Sequence, residues 1–258
     1  MSVAPLVIIT GASSGIGQAL AARYAAAGWR LGLVARRVAE LQAWALARGL
    51  GADRCVVYGA DVAVTDSIVQ AGKDCIERQG LPDVVIACAG VSIGMDTAER
   101  ADLEVMREMF ALNNVGLAAT FHPFVRGMRE RGSGTLVGVA SVSAIRGLPG
   151  HGAYCASKAG VVAYCESLRV ECRGAGVRVV TLVPGYVATP LTARNPYRMP
   201  FMIQPEVFAE RAFRAIQGGR SYVVIPWQMG LVAKLLRLLP NAVFDRLMSR
   251  RGRKPRRG

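Results

Sequence analysis

Short apolar runs alternate with longer amphipathic or alanine-rich ones along the 258 residues. Strands are predicted at LVIIT (6–10), RLGLVA (30–35), RCVVYGA (54–60), DVVIACA (83–89), GTLVGVAS (134–141), VRVVTLV (177–183) and YVVI (222–225). Helical stretches fill the intervals near 15–27, 37–48, 64–79, 99–130, 152–174 and 205–218. The strands are apolar nearly throughout, as expected for a sheet buried on both faces. Regular β-α-β alternation with right-handed crossovers predicts the α/β class. The expected architecture is a Rossmann-like, doubly wound parallel sheet of about seven strands between two helical layers, in a single domain.

Two segments leave the pattern. Residues 184–204 hold four prolines and read as a long loop with short helical pieces, of the kind that lines a binding site. Residues 227–258 read as an amphipathic helical extension followed by a basic tail, so that 1–226, with the 184–204 loop included, forms the main domain. The apolar part of the extension is interrupted by Lys234 and Arg237 and is too short to span a bilayer. Docking on the core is its default, with an interfacial helix or a subunit contact left open.

Composition narrows the function classes. A hydrophobic content of 52% supports a large core. The start, MSVAPLVIITGASSG, lacks a basic n-region, and its apolar run is too short for a signal peptide. Cysteines at 55, 75, 88, 155, 165 and 172 show no CxxC pairing, which suggests reduced thiols in a cytoplasmic protein. His122 and His151 are the only histidines and have no metal-ligand spacing around them, so no metal site is expected. The formal charge of +14 is concentrated at one end, because the last ten residues hold six basic groups and no acid. A disordered solvated tail is the default reading. Weak peripheral contact with an anionic membrane is the sharper one, at about 1 kcal/mol per charge before screening. Nothing resembles a nucleic-acid motif.

The first strand ends in TGASSGIG (10–17), just before a helix. Gly11, Gly15 and Gly17 allow a tight turn and close approach to a diphosphate, with Ser13, Ser14 and Ile16 between them. The following helix N-terminus offers N–H groups to the negative charge. After the second strand the chain reads Ala35-Arg36-Arg37, with no acid. A carboxylate there would repel a 2′-phosphate, whereas a guanidinium pairs with it, so NADP(H) is expected over NAD(H).

Within the predicted helix 152–174, Tyr154 and Lys158 are four residues apart and share a face. A free phenol, with a pKa of about 10, is a poor base at neutral pH. A neighbouring ammonium favours the phenolate.

Over nearly its whole length the sequence resembles the short-chain dehydrogenase/reductase family. The resemblance rests on TGASSGIG (10–17), ADV (60–62), ACAG (87–90), NNVG (113–116), Ser141, YCASK (154–158) and PGYVAT (184–189), in the family's order and at about its distances. It implies an NADP(H)-dependent oxidoreductase interconverting a carbonyl and an alcohol. Tyr154 would be the general acid/base. Lys158 would lower its pKa and bind the nicotinamide ribose. Ser141 would polarise the substrate oxygen, and Asn113 would kink its helix and hold water for a proton relay to Lys158. Asp61 and Val62 match positions contacting the adenine, and Ala89 and Gly90 permit approach to the cofactor ribose. Pro184, Gly185, Val187 and Thr189 match the loop beside the nicotinamide.

The sequence departs from the family at Ala87-Cys88, where an asparagine usually helps tie strands together, and this puts the local strand bonding in doubt. The substrate pocket is expected from VSIGM (91–95), 142–151 and 186–204, with Ser92, Ser143, His151 and Tyr186 among its walls. Met95, Ile145, Leu148, Met199, Phe201 and Met202 would add an apolar lining, which suggests a hydrophobic small molecule. A carrier-bound β-ketoacyl substrate, received by Arg194 and Arg198, stays open. So does a non-catalytic NADP(H) sensor on the same fold, and an epimerase or dehydratase is a further alternative. The resemblance also implies a homodimer or homotetramer.

Overall fold

Seven apolar segments pair in parallel, each bonded to its neighbours by main-chain groups. In the computed structural model, which describes residues 3–193, 195–249 and 252–256, they are β1 (Leu6–Thr10), β2 (Arg30–Ala35), β3 (Cys55–Gly59), β4 (Val84–Ala87), β5 (Gly134–Val139), β6 (Val177–Pro184) and β7 (Tyr222–Ile225). The spatial order is β3-β2-β1-β4-β5-β6-β7. Strand succession reverses between β1 and β4, so the loops leaving their C-terminal ends diverge and open a crevice there. Every residue of β1 and β4 is buried.

Helices close both faces of the sheet. On one side lie α3 (Thr65–Gln79), α5 (Gly116–Arg131) and α6 (Gly152–Cys172), which contribute Ile68, Cys75, Phe121, Phe124, Val161 and Cys165. On the other lie α1 (Gly15–Ala26), α2 (Val38–Leu46) and α8 (Pro205–Gln217), which contribute Leu20, Tyr24, Leu41, Phe208 and Ile216. Phe121, Phe124 and Phe208 are almost wholly buried. Truncating any of them to alanine would cost about 3–5 kcal/mol. All six cysteines are free thiols. No described helix is long and apolar enough to cross a membrane.

The helix predicted over 99–130 is interrupted. It begins as α4 (Asp102–Phe110), widens to a π turn over Ala111–Val115 and resumes as α5. Such a turn spaces its hydrogen bonds one residue further apart, and here it carries Asn113 into the interior, where it is 1% exposed. The periodicity of the flanking helices hides the extra residue. The loop 184–204 contains the short helix α7 (Pro190–Ala193).

The extension folds as α9 (Trp227–Leu238) and α10 (Asn241–Met248), both docked on the body. Met229 and Ala233 are buried, and Met229 lies so close to Gly185 that a β-carbon there would come within 2.7 Å of it. Arg146 gathers the C-terminal end of α9. It donates to the carbonyls of Leu236 and Leu239, the latter at 2.8 Å, and to Asn241 Oδ1 at 3.0 Å, with its guanidinium 3.8 Å from the Phe244 ring centroid. One arginine thus satisfies several carbonyls that a helix end leaves without partners. The outer face of α9 leaves Trp227, Leu231, Leu235 and Leu238 exposed.

The basic tail differs from the solvated default. Residues 252–256 lie along the body as a strap: Gly94 N donates to Pro255 O at 3.0 Å, and Gly94 bridges Arg256 in parallel. The excess of positive charge masks this in the sequence, because the acids that fix the strap, Asp96, Glu99 and Asp102, are more than 150 residues away in the chain.

Candidate active site

The turn after β1 packs as its glycines require. Gly11 has φ +68°, and a β-carbon on it would approach Ala89 Cα to 2.8 Å. A β-carbon on Gly17 would come within 2.3 Å of Gly11 O, so the turn and α1 could not close. Ser14 begins α1 without a side-chain capping bond, and the first turn of the helix carries no acid. The first N–H groups therefore face the crevice with the positive end of the helix dipole behind them. Thr189 packs onto Gly15: its Cγ2 would lie 3.1 Å from a β-carbon there.

Arg37 donates from Nη2 to Ser13 Oγ at 3.1 Å, which brings its guanidinium to the glycine turn, and it also pairs with Glu40 at 3.1 Å. Arg36 stands 3.7 Å from Asp61. Asp61 shapes its own turn by accepting from Ala63 N at 3.0 Å, and buried Val62 lies against Gly116, where a β-carbon would meet Val62 O at 2.4 Å. The doubtful strand bonding at Ala87-Cys88 is made by another residue. Thr10 Oγ1 accepts from Cys88 N at 3.1 Å and from Ala89 N at 3.3 Å, joining the ends of β1 and β4.

Tyr154 and Lys158 lie on the first turns of α6. The ammonium is 6.0 Å from the phenol ring centroid and donates to Val139 O at 2.8 Å. Ser141, two residues past the end of β5, lines the same cavity as the phenol, and its Oγ accepts from Ser143 N at 3.2 Å. Burial raises the phenol to about 12, opposed by the Ser141 hydroxyl, and lowers the Lys158 ammonium to about 8, opposed by charge coupling to Cys88 and Cys165. Within the protein alone, then, desolvation dominates the phenol and keeps it protonated at neutral pH.

Asn113 is wholly engaged. Its Nδ2 donates to Val91 O at 3.1 Å and Ser157 Oγ at 2.9 Å, and its Oδ1 accepts from Val91 N at 3.0 Å. The side chain braces the β4–α4 loop against α6. Gly90 fits between this brace and Lys158: a β-carbon would lie 3.3 Å from Asn113 Oδ1 and 3.3 Å from Lys158 Nζ.

Beside the phenol is a cavity of about 50 Å³ that Tyr154, Ser141, Ser92, Ser143, His151, Tyr186 and Gly185 all line. His151 Nε2 is 3.0 Å from Tyr197 Oη and its Nδ1 is 3.1 Å from Pro149 O. On the loop, Val187 is buried and bridges Ile203, and its carbonyl accepts from Thr192 Oγ1 at 2.6 Å. Pro184 ends β6.

The lining is more polar than the sequence suggested. Leu148 and Tyr186 reach the cavity, but Met95 packs with Val105, Met109 and Ala153, while Phe201 and Met202 are 51% and 46% exposed. Their places are taken by Thr192, Asn195, Tyr197 and Lys254, none of which stands out in the sequence. The one available signal was that lysine is scarce in this arginine-rich chain, which has only four. Arg194, considered for anion binding, lies outside the described residues, and Arg198 is exposed and absent from the cavity lining. A second, larger groove of about 590 Å³, lined by Lys73, His122, Arg126 and Arg129, is formed by different residues and shares none with this cavity.

Together the parallel sheet, the glycine turn at its switch point and the phenol–hydroxyl pair at the crevice define a dinucleotide-binding oxidoreductase. The profile of the short chain dehydrogenase family matches residues 5–198, and the chain belongs to that family. It is 39% identical over 241 residues to an uncharacterized oxidoreductase of Myxococcus xanthus, covering 92% of this chain and 94% of that protein. Among solved structures, a short chain dehydrogenase of Burkholderia cenocepacia in complex with NADP superposes with a TM-score of 0.81 at 23% identity, covering 96% of this chain and 99% of that one. A short chain dehydrogenase/reductase of Burkholderia phymatum in complex with NAD gives 0.80 at 23% identity, covering 100% and 99%. The chain is thus an oxidoreductase of a family that uses nicotinamide cofactors. The choice between NADP and NAD has to be argued from its own residues.

Proposed function

We propose that this protein interconverts a carbonyl and an alcohol with NADP(H), using Tyr154 as the proton donor and acceptor. The observation that carries the reading is the phenol of Tyr154, sharing with Ser141 the wall of a cavity on the crevice and backed by a buried ammonium. When bound, the reduced nicotinamide supplies the hydride. In reduction, the carbonyl carbon gains that hydride, its oxygen gains a proton from Tyr154, and the phenolate is reprotonated from solvent. The oxidation of an alcohol is the reverse.

The protein's part is to place and hold charge. Ser141 Oγ donates to the substrate oxygen as negative charge builds there, which is where a fixed donor lowers the barrier. Lys158 holds the phenolate, helped by the positive charge of the oxidised ring, and a tyrosine raised by burial then returns readily to the protonated state. Gly11, Gly15, Gly17 and the α1 N-terminus would cradle the diphosphate. Ala89, Gly90, Pro184, Gly185, Val187 and Thr189 would enclose the nicotinamide end, and Asp61 and Val62 the adenine.

The preference for NADP(H) is supported by Arg37 reaching Ser13 in the glycine turn and by Arg36 at the end of β2. Steady-state reduction of a panel of aldehydes and ketones with each cofactor tests both parts. NADPH should be used at least tenfold more efficiently than NADH, and the double substitution Arg36→Glu, Arg37→Ala should lose about 10–100-fold in kcat/KM for NADPH. Equal use of both cofactors by the wild type would remove the arginine assignment. Absence of turnover across the panel would favour a non-catalytic binder.

A further inference from the structure

Among the described residues, Lys254 is the only charged side chain lining the cavity beside Tyr154. It reaches there from the strap 252–256, and it is 8% exposed. An ammonium has three protons to donate. Two go to neutral oxygens, Leu191 O at 3.2 Å and Asn195 Oδ1 at 2.6 Å. Among the described residues no carboxylate pairs with it, and no residue lining the cavity is acidic. Its neighbours on the strap contrast with it: Arg253 meets Asp96 at 3.3 Å, and Arg256 meets Asp102 at 2.6 Å. The strap's outer charges are matched within the protein, and its inward charge is not.

A buried cation without an anion is costly, and the cost is recovered when an anion is brought to it. Burial also lowers the pKa of this ammonium from its ordinary value, which an arriving negative charge would reverse. The cation cannot simply swing out to solvent while the strap is docked, because Gly94 holds Pro255 O at 3.0 Å and Gly150 packs against Arg253 and Lys254 N. The cavity, at about 50 Å³, suits a compact group better than a long apolar chain.

We infer that Lys254 is a specificity-determining residue that receives the carboxylate of the substrate, so that the carbonyl compound reduced at Tyr154 is an oxo acid and its product a hydroxy acid. This rests on the carbonyl–alcohol reading above and adds the chemical class of the substrate. Atoms balance as in any such reduction: one hydride to carbon and one proton to oxygen, with the carboxylate unchanged.

The test uses the full chain and NADPH with straight-chain oxo acids, their ketones two to six carbons from the carboxylate, each beside its methyl ester. At least one acid should exceed its ester by about tenfold or more in kcat/KM, chiefly through KM. Lys254→Met should abolish that preference by lowering kcat/KM for the acid at least about tenfold more than for the ester, whereas Lys254→Arg should keep much of it. Acid and ester reduced alike by the wild type, or acid and ester weakened alike by Lys254→Met, would overturn the inference while leaving the reductase reading standing. Calorimetric titration of the same acids into the NADPH-loaded protein separates the two claims. If no carbonyl is reduced, acid-selective binding lost in Lys254→Met still supports the carboxylate site and sinks only the reaction. No binding of any acid overturns the site.

Discussion

Two of the chain's four lysines are buried, and the protein positions them by opposite means. Lys158 is held inside α6, four residues from Tyr154, with its ammonium on Val139 O. Lys254 is held by a five-residue strap whose own anchors are three ion pairs and a backbone bridge to the loop after β4. Both ammonium groups are satisfied by neutral oxygens, and both are lowered by burial. The difference is in what must break to move them. Displacing Lys158 means unwinding a helix packed on the sheet, whereas displacing Lys254 means opening the ion pairs of a five-residue segment, one of them on the surface (Arg253–Asp96) and one made to the buried carboxylate of Asp102. On the proposed function, the charge that must stay beside the reacting phenol sits on the rigid element. A charge facing what enters and leaves sits on the one that can lift.

The largest expected effect separates the chemistry from both cations. Tyr154→Phe keeps the ring against Lys158 and removes only the hydroxyl. Turnover should fall by about 10³-fold, within the range for loss of a general acid. Dissociation constants for NADPH and for any oxo acid, read by calorimetry, should stay within about twofold. A residual rate within tenfold of the wild type would move the proton donor elsewhere and leave the two lysines without a common task.

The same contrast explains how much the sequence revealed. The strands, the glycine turn and the Tyr154–Lys158 pair were legible because each depends on local spacing: apolar runs, a strand–turn–helix junction and one helical face. The β-strand boundaries moved by no more than two residues. What was not legible depends on contacts between distant segments. The role of Thr10 in bonding Cys88 N and Ala89 N spans more than 75 residues, and the Asn113 brace to Ser157 needs the π turn to rotate it inward. The strap is the extreme case. Six basic residues in the last ten look like a solvated tail until the acids at 96, 99 and 102 are seen beside them.

A smaller effect tests how firmly the rigid cation is buried. The Lys158 ammonium is lowered by burial to about 8 from 10.5. Between those values the unfolded chain binds more protons than the folded one, so this group makes the protein more stable as pH rises through the window. Lys158→Met lacks the effect. Unfolding by denaturant at pH 7 and pH 10 should show the wild type gaining on the order of 2 kcal/mol relative to the variant. Staying at or below pH 10 avoids the opposite contribution of Tyr154, whose raised phenol costs stability between 10 and about 12. Equal pH slopes for the two proteins would mean that the ammonium is better solvated than its surroundings suggest.

The smallest effect on global stability should come from the strap, and its smallness is the point. Arg256→Gln leaves Asp102, which Arg256 holds below its ordinary carboxylate range, with the Asp96 N–H at 2.7 Å as its remaining side-chain hydrogen-bonding partner among the described residues. If the strap is an independently opening segment, the melting temperature should fall by no more than about 2 °C, because its opening is then separate from global unfolding. Hydrogen exchange at residues 252–256 should meanwhile quicken by about tenfold. The wild type should show the same loosening only in acid, because a depressed carboxylate keeps its stabilising charge until pH falls through its folded pKa. A melting temperature lowered far beyond that margin, with exchange rising throughout the fold, would make the strap part of the core. The distinction between a fixed cation on α6 and a releasable one at the cavity would then be lost.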